Sequence, residues 1–471
     1  MRKEKQIWDW RWPETGRSQD ELEGEIEKIF SPYEAVIPPI CYPGTTLSKN
    51  LLAKAGALLA RQINAVGSHT HGVKLADGNW QFNEGEGGFE VIQRMEAQVI
   101  WMIASMLGGS PETIDGYFCG GGTEANIEGM WIGREWLKQR PDPMDKGIIV
   151  LVSPLFHYSI AKAAELLDLG HPQYVFCPRC KKSHLFAPDP TGSGLNIVGM
   201  DDKGQMSISE LEKVFYLRHY EGFRRFLLVP TVGTSLMGSI DPIQEIGEFI
   251  KSESRKTGAS FYMHVDASFA GFTVPFINPE VQIGFSIPEV MSVTVDGDKM
   301  GRLPYPAGVF LCRKGLMSLV ARKVNYVRGY EDDTVSGSRS CISQILAWYL
   351  YQSEGIAGQC QYVQTCLDGR DKLVSLVKSQ LPWVKVIPCS PWVNFAPMEI
   401  DIEDGQIPEE IRERDGVLAL YHMRSDFFSD GHPDVCPRTI YKVCVMPHSL
   451  PHIERFVADL ERAKDGWDKT H

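Results

Sequence analysis

Short apolar runs alternate with amphipathic stretches in the middle of the chain, between about residues 115 and 315. The runs with the length and composition of strands are GYFCG, GIIVLVS, YVFC, RRFLLVPTV, SFYMHVDA, VMSVTV and AGVFLCR. Between them lie stretches with apolar residues at helical spacing, such as TEANIEGMWIGREWLK, ISELEKVFYL and IQEIGEFIKSES. This alternation predicts an α/β domain with a mostly parallel sheet, whose strand ends face a ligand crevice.

The two ends of the chain have different patterns. ELEGEIEKIF and NLLAKAGALLARQINAV predict helices near the N-terminus, and EVIQRMEAQVIWMIASMLG predicts another from residue 90. From about residue 340 a long predicted helix leads to the strand candidates PWVKVIPC, WVNFAPM and IYKVCVMPH, and HIERFVADLERAKDGW closes the chain as a helix. We therefore predict an N-terminal helical segment, residues 1–60, a large α/β domain, residues 61–335, and a smaller C-terminal α+β domain, residues 336–471.

Composition and charge narrow the class of protein. The chain has 471 residues, 43% of them hydrophobic, so it can bury a substantial core. A net charge of −12 and the lack of a basic cluster with interleaved aromatics argue against nucleic acid as a partner. The N-terminus has no apolar signal region, and no apolar run is long enough to cross a bilayer. Eleven cysteines without framework spacing suggest reduced thiols, so we expect a soluble cytoplasmic protein.

A glycine run separates a predicted strand from a predicted helix at Gly120, Gly121 and Gly122, and Thr123 follows it. Glycines let the backbone approach a ligand closely, and the free N–H groups of a helix start favour a phosphate. The hydroxyl of Thr123 can add a contact. The alternative is a tight turn in which Thr123 is the helix N-cap.

Three further polar residues follow predicted strands. His157, at the start of a helix, either stacks on a flat ligand or is a satisfied structural histidine. Asp266 ends an apolar strand, where a buried carboxylate needs a partner such as a protonated ring nitrogen; the alternative is a cap of the next turn. Lys299, in VDGDKMG, also ends a strand, and a desolvated lysine amine is a Schiff-base nucleophile. In this order, the glycine run and these residues meet the four needs of pyridoxal phosphate.

The residues that carry this chemistry resemble a known family. GGTEAN, HYSIAKAA, HVDA and SVTVDGDKMG match, in order, the group II pyridoxal-phosphate decarboxylases of fold type I. The sequence looks most similar to the archaeal tyrosine/aspartate decarboxylase branch, with sphingosine-phosphate lyases as near relatives. The resemblance extends to PYPAGVFLCR, DDTVSGSR and VCVMPHSLPHIERFVADL, and covers roughly residues 50 to 465.

The resemblance implies a role for each motif residue. Gly122 and Thr123 bind the cofactor phosphate, His157 stacks on the pyridine ring, Asp266 pairs with its nitrogen, and Lys299 forms the internal aldimine. The implied cofactor-binding set is Gly121, Gly122, Thr123, His157, Asp266, Ala267 and Lys299. The family also implies a homodimer with active sites at the subunit interface.

Two positions depart from the family pattern. Asp298 replaces the histidine that usually precedes the Schiff-base lysine and contacts the phosphate. A carboxylate there repels a phosphate unless it is protonated, turned away or bridged, so weak cofactor affinity is one expectation. Lys442 replaces a C-terminal arginine, which keeps a positive charge for substrate binding but loses the bidentate grip on a carboxylate.

An apparent insertion, CPRCKKSHLFAPDPTGSG, lies between the predicted strand YVF and IVGMDDKG. Cys177 and Cys180 have zinc-like CxxC spacing, and His184 is nearby. A structural zinc ion needs four ligands, and the sequence pattern does not identify the fourth. The alternative is a reduced, solvent-facing loop.

The expected reaction is L-amino-acid α-decarboxylation, through an external aldimine and a quinonoid, to an amine and CO2. By resemblance, Tyr330, with Tyr326 in reserve, protonates the product carbanion, although both tyrosines have packing as the alternative. Arg339 either binds substrate or braces the domain junction. The other reactions considered are carbon–carbon cleavage of the sphingosine-phosphate lyase type, transamination, oxidative deamination and carbon–sulfur chemistry. A non-enzymatic role for the CxxC loop would leave Asp266 and Lys299 superfluous.

Overall fold

The structure is a computed structural model. It describes residues 18–30, 41, 44, 48–60, 73–74, 80–81, 90–170, 173–177, 182–186, 194–325, 331–400, 402, 407–408, 411, 414–415, 421–423 and 438–470. The helices in these ranges are α1 Gln19–Phe30, α2 Lys49–Leu59, α3 Glu90–Met106, α4 Gly122–Lys138, α5 Tyr158–Leu166, α6 Ile208–Tyr220, α7 Ile243–Thr257, α8 Val274–Ile277, α9 Ile342–Gln380 and α10 Ile453–Thr470. The strands are β1 Val73–Lys74, β2 Trp80–Gln81, β3 Ile114–Cys119, β4 Ile148–Val152, β5 Gln173–Cys177, β6 Lys182–Phe186, β7 Gly194–Ile197, β8 Arg225–Val229, β9 Ser260–Asp266, β10 Val290–Asp296, β11 Gly308–Arg313, β12 Arg322–Lys323, β13 Glu331–Asp332, β14 Lys385–Val386, β15 Phe395–Glu399, β16 Tyr421–Met423 and β17 Arg438–Cys444.

The main sheet of the described chain has seven strands in the order β3-β11-β10-β9-β8-β4-β7. The pairs β10–β9, β9–β8, β8–β4 and β4–β7 are parallel, whereas β11 is antiparallel to both β10 and β3. Six strands therefore run in one direction and only β11 is reversed. This confirms the predicted fold class, and it places the carboxyl ends of β3, β4, β9 and β10 at one edge of the sheet.

Continuous apolar runs explain why these strands lie in the middle of the domain. All five residues of β4, IIVLV, are buried, and so are the last six residues of β9. Strands covered by helices on both faces have this composition rather than an apolar–polar alternation. On one face Phe215 of α6 packs with Phe226, Phe249 and Phe261, with ring centroids between 4.9 and 5.5 Å from its own.

A smaller antiparallel sheet, in the order β14-β15-β17-β16, follows α9. The end of α9 and the helix α10 pack on it through a separate core. Its fully buried members include Leu373, Met398, Phe456, Val457 and Leu460. This matches the predicted α+β character of the C-terminal part, while the exact domain boundaries stay predictions.

One strand position differs from the sequence prediction. The segment YVFC lies in β5, which pairs with β6 in a separate two-stranded hairpin. The edge of the main sheet beside β4 is instead taken by β7, with the sequence GLNI, which is short and has a polar residue inside. The apolar pattern thus indicates a strand correctly but does not indicate its partner.

None of the helices in the described ranges has both the length and the apolar character that a membrane span requires.

Gly355 introduces a kink into α9, between the main sheet and the smaller one. Its φ of 61° and ψ of −166° interrupt an otherwise helical segment, and L-residues rarely adopt this conformation. A Cβ at Gly355 would meet no atom within 4 Å, so only the backbone conformation opposes a side chain there.

We expect Gly355→Ala to reduce the free energy of unfolding by about 1–3 kcal/mol, because alanine must adopt a strained φ and ψ. The measurement is the urea midpoint. Gly466→Ala is the matched control, since Gly466 lies in α10 with open space around it and without a positive φ. That variant should gain about 0.5–1 kcal/mol from helix propensity. A stabilised Gly355→Ala variant would contradict the prediction.

Candidate active site

A cavity of about 410 Å³ lies at the edge of the main sheet where four parallel strands end. Its lining includes the loop between β3 and α4, His157 after β4, Ser268 after β9, and Lys299 after β10. The structure therefore brings five of the predicted residues together in one cavity: Gly121, Gly122, Thr123, His157 and Lys299. Asp266 and Ala267 lie next to Ser268 in the chain and are buried.

The glycine run forms a close contact between the start of α4 and the end of β10. A Cβ on Gly122 would lie 2.7 Å from both carboxylate oxygens of Asp296 and 2.8 Å from Ser268 Oγ. Gly121 is the N-cap residue of α4 and has no side chain to cap the helix. The first N–H groups of a helix have no partner within it, so this end of α4 can bind an anion.

Asp266 ends β9 and is 2% exposed. Its Oδ2 accepts a hydrogen bond from Asn126 Nδ2 at 3.0 Å, and its Oδ1 accepts from the backbone N of Ser268 at 3.2 Å and from Ser268 Oγ at 2.5 Å. These donors stabilise a buried carboxylate. The side chain of Asp266 can accept a further hydrogen bond, because a carboxylate has about four acceptor positions.

His157 is the N-cap residue of α5. Its Nδ1 accepts a hydrogen bond from the backbone N of Ser159 at 3.3 Å and lies 2.8 Å from Ser159 Oγ. Burial lowers the pKa of His157, and the charges of Lys299 and Lys442 lower it further against the opposing effect of Asp266. The ring is therefore neutral at pH 7, with its proton on Nε2.

Lys299 forms an ion pair with Asp296, with 2.9 Å between Nζ and Oδ2. Burial acts to lower the pKa of Lys299, but the carboxylates of Asp296, Asp266 and Asp298 outweigh it, so its pKa is raised. Burial raises the pKa of Asp296 to about 6 against the opposing charge of Lys299. The sequence shows Asp296 as a carboxylate three residues before the lysine in VDGDKMG, but it does not indicate a role for it.

Asp298 is buried, 4% exposed. Within the described residues, Oδ1 of Asp298 and Oδ1 of Asp296 accept no hydrogen bond. A phosphate in this cavity would meet the donor-rich start of α4 together with the acidic lining residues Glu124 and Asp296, whereas Asp298 is not a lining residue. The residues fit pyridoxal phosphate through the glycine run, the amine, the imidazole and Asp266. The carboxylates of Glu124 and Asp296 in the lining are the unfavourable feature, and Asp298 adds a buried negative charge that acts on Lys299.

Arg339 is held in a buried ion pair. Its Nη1 contacts Glu96 Oε1 and donates to the carbonyl oxygen of Phe118 at 2.5 Å, and its Nη2 donates to Glu96 Oε2 at 3.1 Å. These contacts join α3, the end of β3 and the segment before α9. They correspond to the bracing alternative for Arg339, and its substrate-binding role stays a prediction.

Lys442, on β17, is 8% exposed, and its Nζ lies 4.7 Å from the centroid of the Phe395 ring. Burial lowers the pKa of Lys442, and the charge of Lys299 lowers it further. No carboxylate among the described residues forms an ion pair with it. Within the described ranges the ammonium group is therefore buried without an acidic partner, and the charge of Lys299 acts on it.

Several predicted residues lie outside the described part of the chain. Tyr326 and Tyr330 fall in the gap at 326–330, and Cys180 falls in the gap at 178–181. Cys177 and His184 are described by their backbone only, on the paired strands β5 and β6. The catalytic tyrosine and the zinc hypothesis both stay predictions.

Two residues that hydrogen-bond to Asp266, directly or through each other, were not predicted from the sequence: Asn126 and His264. Asn126 and His264 stood inside the quoted motifs GGTEAN and HVDA, but no role was assigned to them. The signal that could have indicated them is a polar residue within a strongly apolar strand, as in FYMHV, because a buried polar group needs a partner.

Comparison with known proteins identifies the family. The model of the pyridoxal-dependent decarboxylase conserved domain matches residues 90–387, more than half of the chain. A tryptophan decarboxylase of Clostridium sporogenes is 29% identical over 383 residues, which cover 80% of this chain and 79% of that protein. A probable L-tyrosine/L-aspartate decarboxylase of Methanocella arvoryzae is 27% identical over 350 residues, with 74% and 78% covered.

Solved structures show the same fold. L-methionine decarboxylase from Streptomyces sp. 590 superimposes with a TM-score of 0.73 at 15% identity, over 96% of this chain and 97% of that one. A sphingosine-1-phosphate lyase of Burkholderia pseudomallei gives a TM-score of 0.69 at 17% identity, over 98% and 93%.

These matches confirm the predicted family, fold class and cofactor, and they support decarboxylation over carbon–carbon cleavage. The chain belongs to the pyridoxal-dependent decarboxylase family and is a carboxy-lyase that uses pyridoxal phosphate.

Proposed function

We propose that the site around Lys299 removes the α-carboxylate of an L-amino acid as CO2 and leaves the amine. The observation that carries the proposal is the cavity in which the glycine run, His157 and Lys299 meet, with Asp266 as the last residue of the adjoining strand β9. The names of the relatives make aromatic and acidic amino acids the first candidates as substrates.

The described residues would hold the cofactor at three places. The N–H groups at the start of α4, with Gly121, Gly122 and Thr123, would bind its phosphate. His157 would stack on its ring, and Asp266 would pair with the ring nitrogen. When bound, pyridoxal phosphate supplies an aldehyde for the substrate amine and an electron-withdrawing ring that accepts the electron pair of the broken bond.

Lys299 and Asp296 form the proton-transfer pair in this proposal. A lysine must lose its proton before its nitrogen can act as a nucleophile, and the raised pKa of Lys299 keeps that proton in place when Asp296 is ionised. Asp296 Oδ2 is 2.9 Å from Nζ, within hydrogen-bond reach of the proton. Its pKa of about 6 suits a group that receives and returns a proton near neutral pH.

Lys442 is proposed to bind a carboxylate of the substrate. A buried ammonium without an acidic neighbour among the described residues is an unfavourable arrangement that an anionic substrate would relieve. Tyr330, with Tyr326 in reserve, is proposed to donate the proton to the carbon that loses CO2. Both tyrosines lie outside the described residues.

We further propose that the enzyme is a homodimer of the cytoplasm. Two aromatic side chains at the cavity, Tyr158 and Tyr305, are 62% and 64% exposed, which favours a partner surface over the site. The eight cysteines whose side chains the structure describes form no disulfide, which agrees with a reducing compartment. The mass of the particle in solution is the check on the dimer.

The first test is a panel of the common L-amino acids incubated with the cofactor-loaded enzyme. We expect one substrate class to yield an amine lighter by CO2, detected by mass spectrometry. Lys299→Ala should remove both this product and the visible absorption of the lysine-bound cofactor, while Lys162→Ala on α5 should keep both. A keto acid as the main product would overturn the decarboxylase proposal in favour of transamination.

The second test concerns Asp298. We expect Asp298→His to lower the dissociation constant of pyridoxal phosphate by roughly tenfold or more. The substitution removes the repulsion between the carboxylate and the cofactor phosphate, and a gain of about 1.4 kcal/mol is a factor of ten in affinity. Asp298→Asn should give part of this gain, since it removes the charge without adding a donor ring. Asp371→Asn changes an exposed carboxylate and is the control. Unchanged or weaker binding in both Asp298 variants would show that the carboxylate does not oppose the phosphate.

The third test concerns Lys442. We expect Lys442→Met to raise KM by between roughly 10- and 100-fold with a smaller change in kcat, since hydrogen bonds to charged groups contribute about 1.5–3 kcal/mol. Lys442→Arg keeps the charge and should retain most of the affinity. Lys385→Met, at an exposed lysine of the same small sheet, is the matched control. If KM is unchanged in Lys442→Met, the carboxylate is bound elsewhere.

A further inference from the structure

We propose that Asn126 is a positioning residue that holds His157 and Asp266 in one fixed arrangement, and that His264 sets the orientation of the Asn126 amide. The inference rests on the proposed function, because it takes both His157 and Asp266 as cofactor contacts. Asn126 is not among the residues that line the cavity.

Asn126 lies one helical turn after Gly122 in α4, and it is completely buried. Residues four apart share one face of a helix, so the amide lies on the same side of α4 as the contact of Gly122 with Asp296. This position places the amide beside Asp266, at the end of β9, and beside Ser159 of α5.

The amide group of Asn126 makes three hydrogen bonds. Its Nδ2 donates to Asp266 Oδ2 at 3.0 Å and to Ser159 Oγ at 2.9 Å. Its Oδ1 lies 3.0 Å from His264 Nε2. Because Oδ1 can only accept, His264 carries its proton on Nε2 and donates it to Asn126.

The other nitrogen of His264 is consistent with this tautomer. Its Nδ1 lies 2.8 Å from Ser292 Oγ, and Ser292 Oγ accepts a hydrogen bond from the hydroxyl of Tyr262 at 3.0 Å. The Ser292 hydroxyl is therefore left to donate to Nδ1. The hydrogen bonds run in one direction from Tyr262 through Ser292, His264 and Asn126 to Asp266.

Packing keeps the imidazole in place. A Cβ on Gly129 would lie 2.2 Å from Cε1 and 2.3 Å from Nδ1 of His264, so α4 can approach the ring only because this position is glycine. His264 is completely buried, and burial lowers its pKa to about 4 against the opposing charge of Asp266. The ring thus stays neutral and adds no positive charge beside Asp266.

The second hydrogen of the amide leads to His157. Ser159 Oγ accepts from Asn126 and lies 2.8 Å from His157 Nδ1, while the backbone N of Ser159 also donates to Nδ1. The serine hydroxyl therefore donates to His157 and fixes its proton on Nε2. One amide group consequently controls both the carboxylate and the stacking ring.

A reversed amide would be unfavourable at each contact. It would place Oδ1 against the Asp266 carboxylate, and it would place the NH2 group against the N–H of His264. The three hydrogen bonds therefore exclude the reversed orientation. The carboxylate that pairs with the cofactor and the ring that stacks on it depend on the same side chain.

The test compares Asn126→Leu with the unaltered enzyme, both loaded with pyridoxal phosphate. We expect the pH midpoint of the visible absorption change of the bound cofactor to move by about one unit or more, because the hydrogen bonding of Asp266 changes. We also expect the dissociation constant of the cofactor to rise by roughly tenfold or more. Ser159→Ala should weaken cofactor binding while leaving the midpoint nearly unmoved, since it keeps the contact of Asn126 with Asp266.

Asn196→Leu is the control for a merely structural role. Asn196 is also completely buried, on the edge strand β7, where it accepts from Arg218 and donates to Gly194. Its replacement should lower the melting temperature without moving the absorption midpoint or the cofactor affinity. If Asn126→Leu does not fold, Asn126→Ser is measured in the same way and is expected to show the same two changes.

Unmoved midpoint and affinity in a folded Asn126 variant would overturn this inference alone. Both measurements need cofactor binding but no turnover. They therefore test the role of Asn126 even if the substrate has been assigned wrongly. Failure of the unaltered chain to bind pyridoxal phosphate at Lys299 would overturn the proposed function together with this inference.

Discussion

The close approach of α4 to the main sheet is the constraint on which the site depends. Three glycines on α4 make this approach possible: Gly122 against Asp296, Gly129 against the ring of His264, and Gly133 against Tyr262 and Leu227. A Cβ at any of the three would lie within 3 Å of these side chains, so α4 would have to move outward. Its N-terminus would then no longer lie beside the ends of β9 and β10.

The charges of the cavity follow from this packing. Asp266, Asp296 and Asp298 all act on Lys299, so the amine is surrounded by more negative charge than it can compensate. A bound phosphate would add to the imbalance, whereas Lys442 and the dipole of α4 oppose it. The charge balance around Lys299 therefore depends on the protonation of Asp296 and on the charge of residue 298. A histidine at position 298 would remove one of the negative charges.

The two sheets contribute to the site through different contacts. The pair Arg339–Glu96 links the segment before α9 to α3 and β3, and burial makes this pair costly to break. The smaller sheet carries Lys442, which is not a lining residue of the cavity; its ammonium group packs over Phe395 and acts electrostatically on both Lys299 and His157. Because of these effects, a shift of the small sheet relative to the cavity would change the pKa values of Lys299 and His157.

The sequence by itself determined the order of strands and helices, the polar residues that end the strands, and the family. These are local properties. An apolar run predicts a strand, and Asp266 and Lys299 are polar residues at or shortly after the end of such a run. Parallel strands place such ends together, so the site could be predicted without knowing the partners of each strand. The hairpin β5–β6 shows the limit, because a strand pattern does not specify the sheet in which the strand pairs.

Only the tertiary structure decided how the buried polar groups are paired. His264 and Asn126 are 138 positions apart, and Arg339 and Glu96 are 243 apart, so no local pattern relates them. His264 stands in the sequence as a polar interruption of an apolar segment, and Arg339 stands in the polar run SGSRS, so each has many possible partners. The cost of burying an unpaired polar group selects one partner, and that selection depends on which side chains the folded packing brings within hydrogen-bond distance.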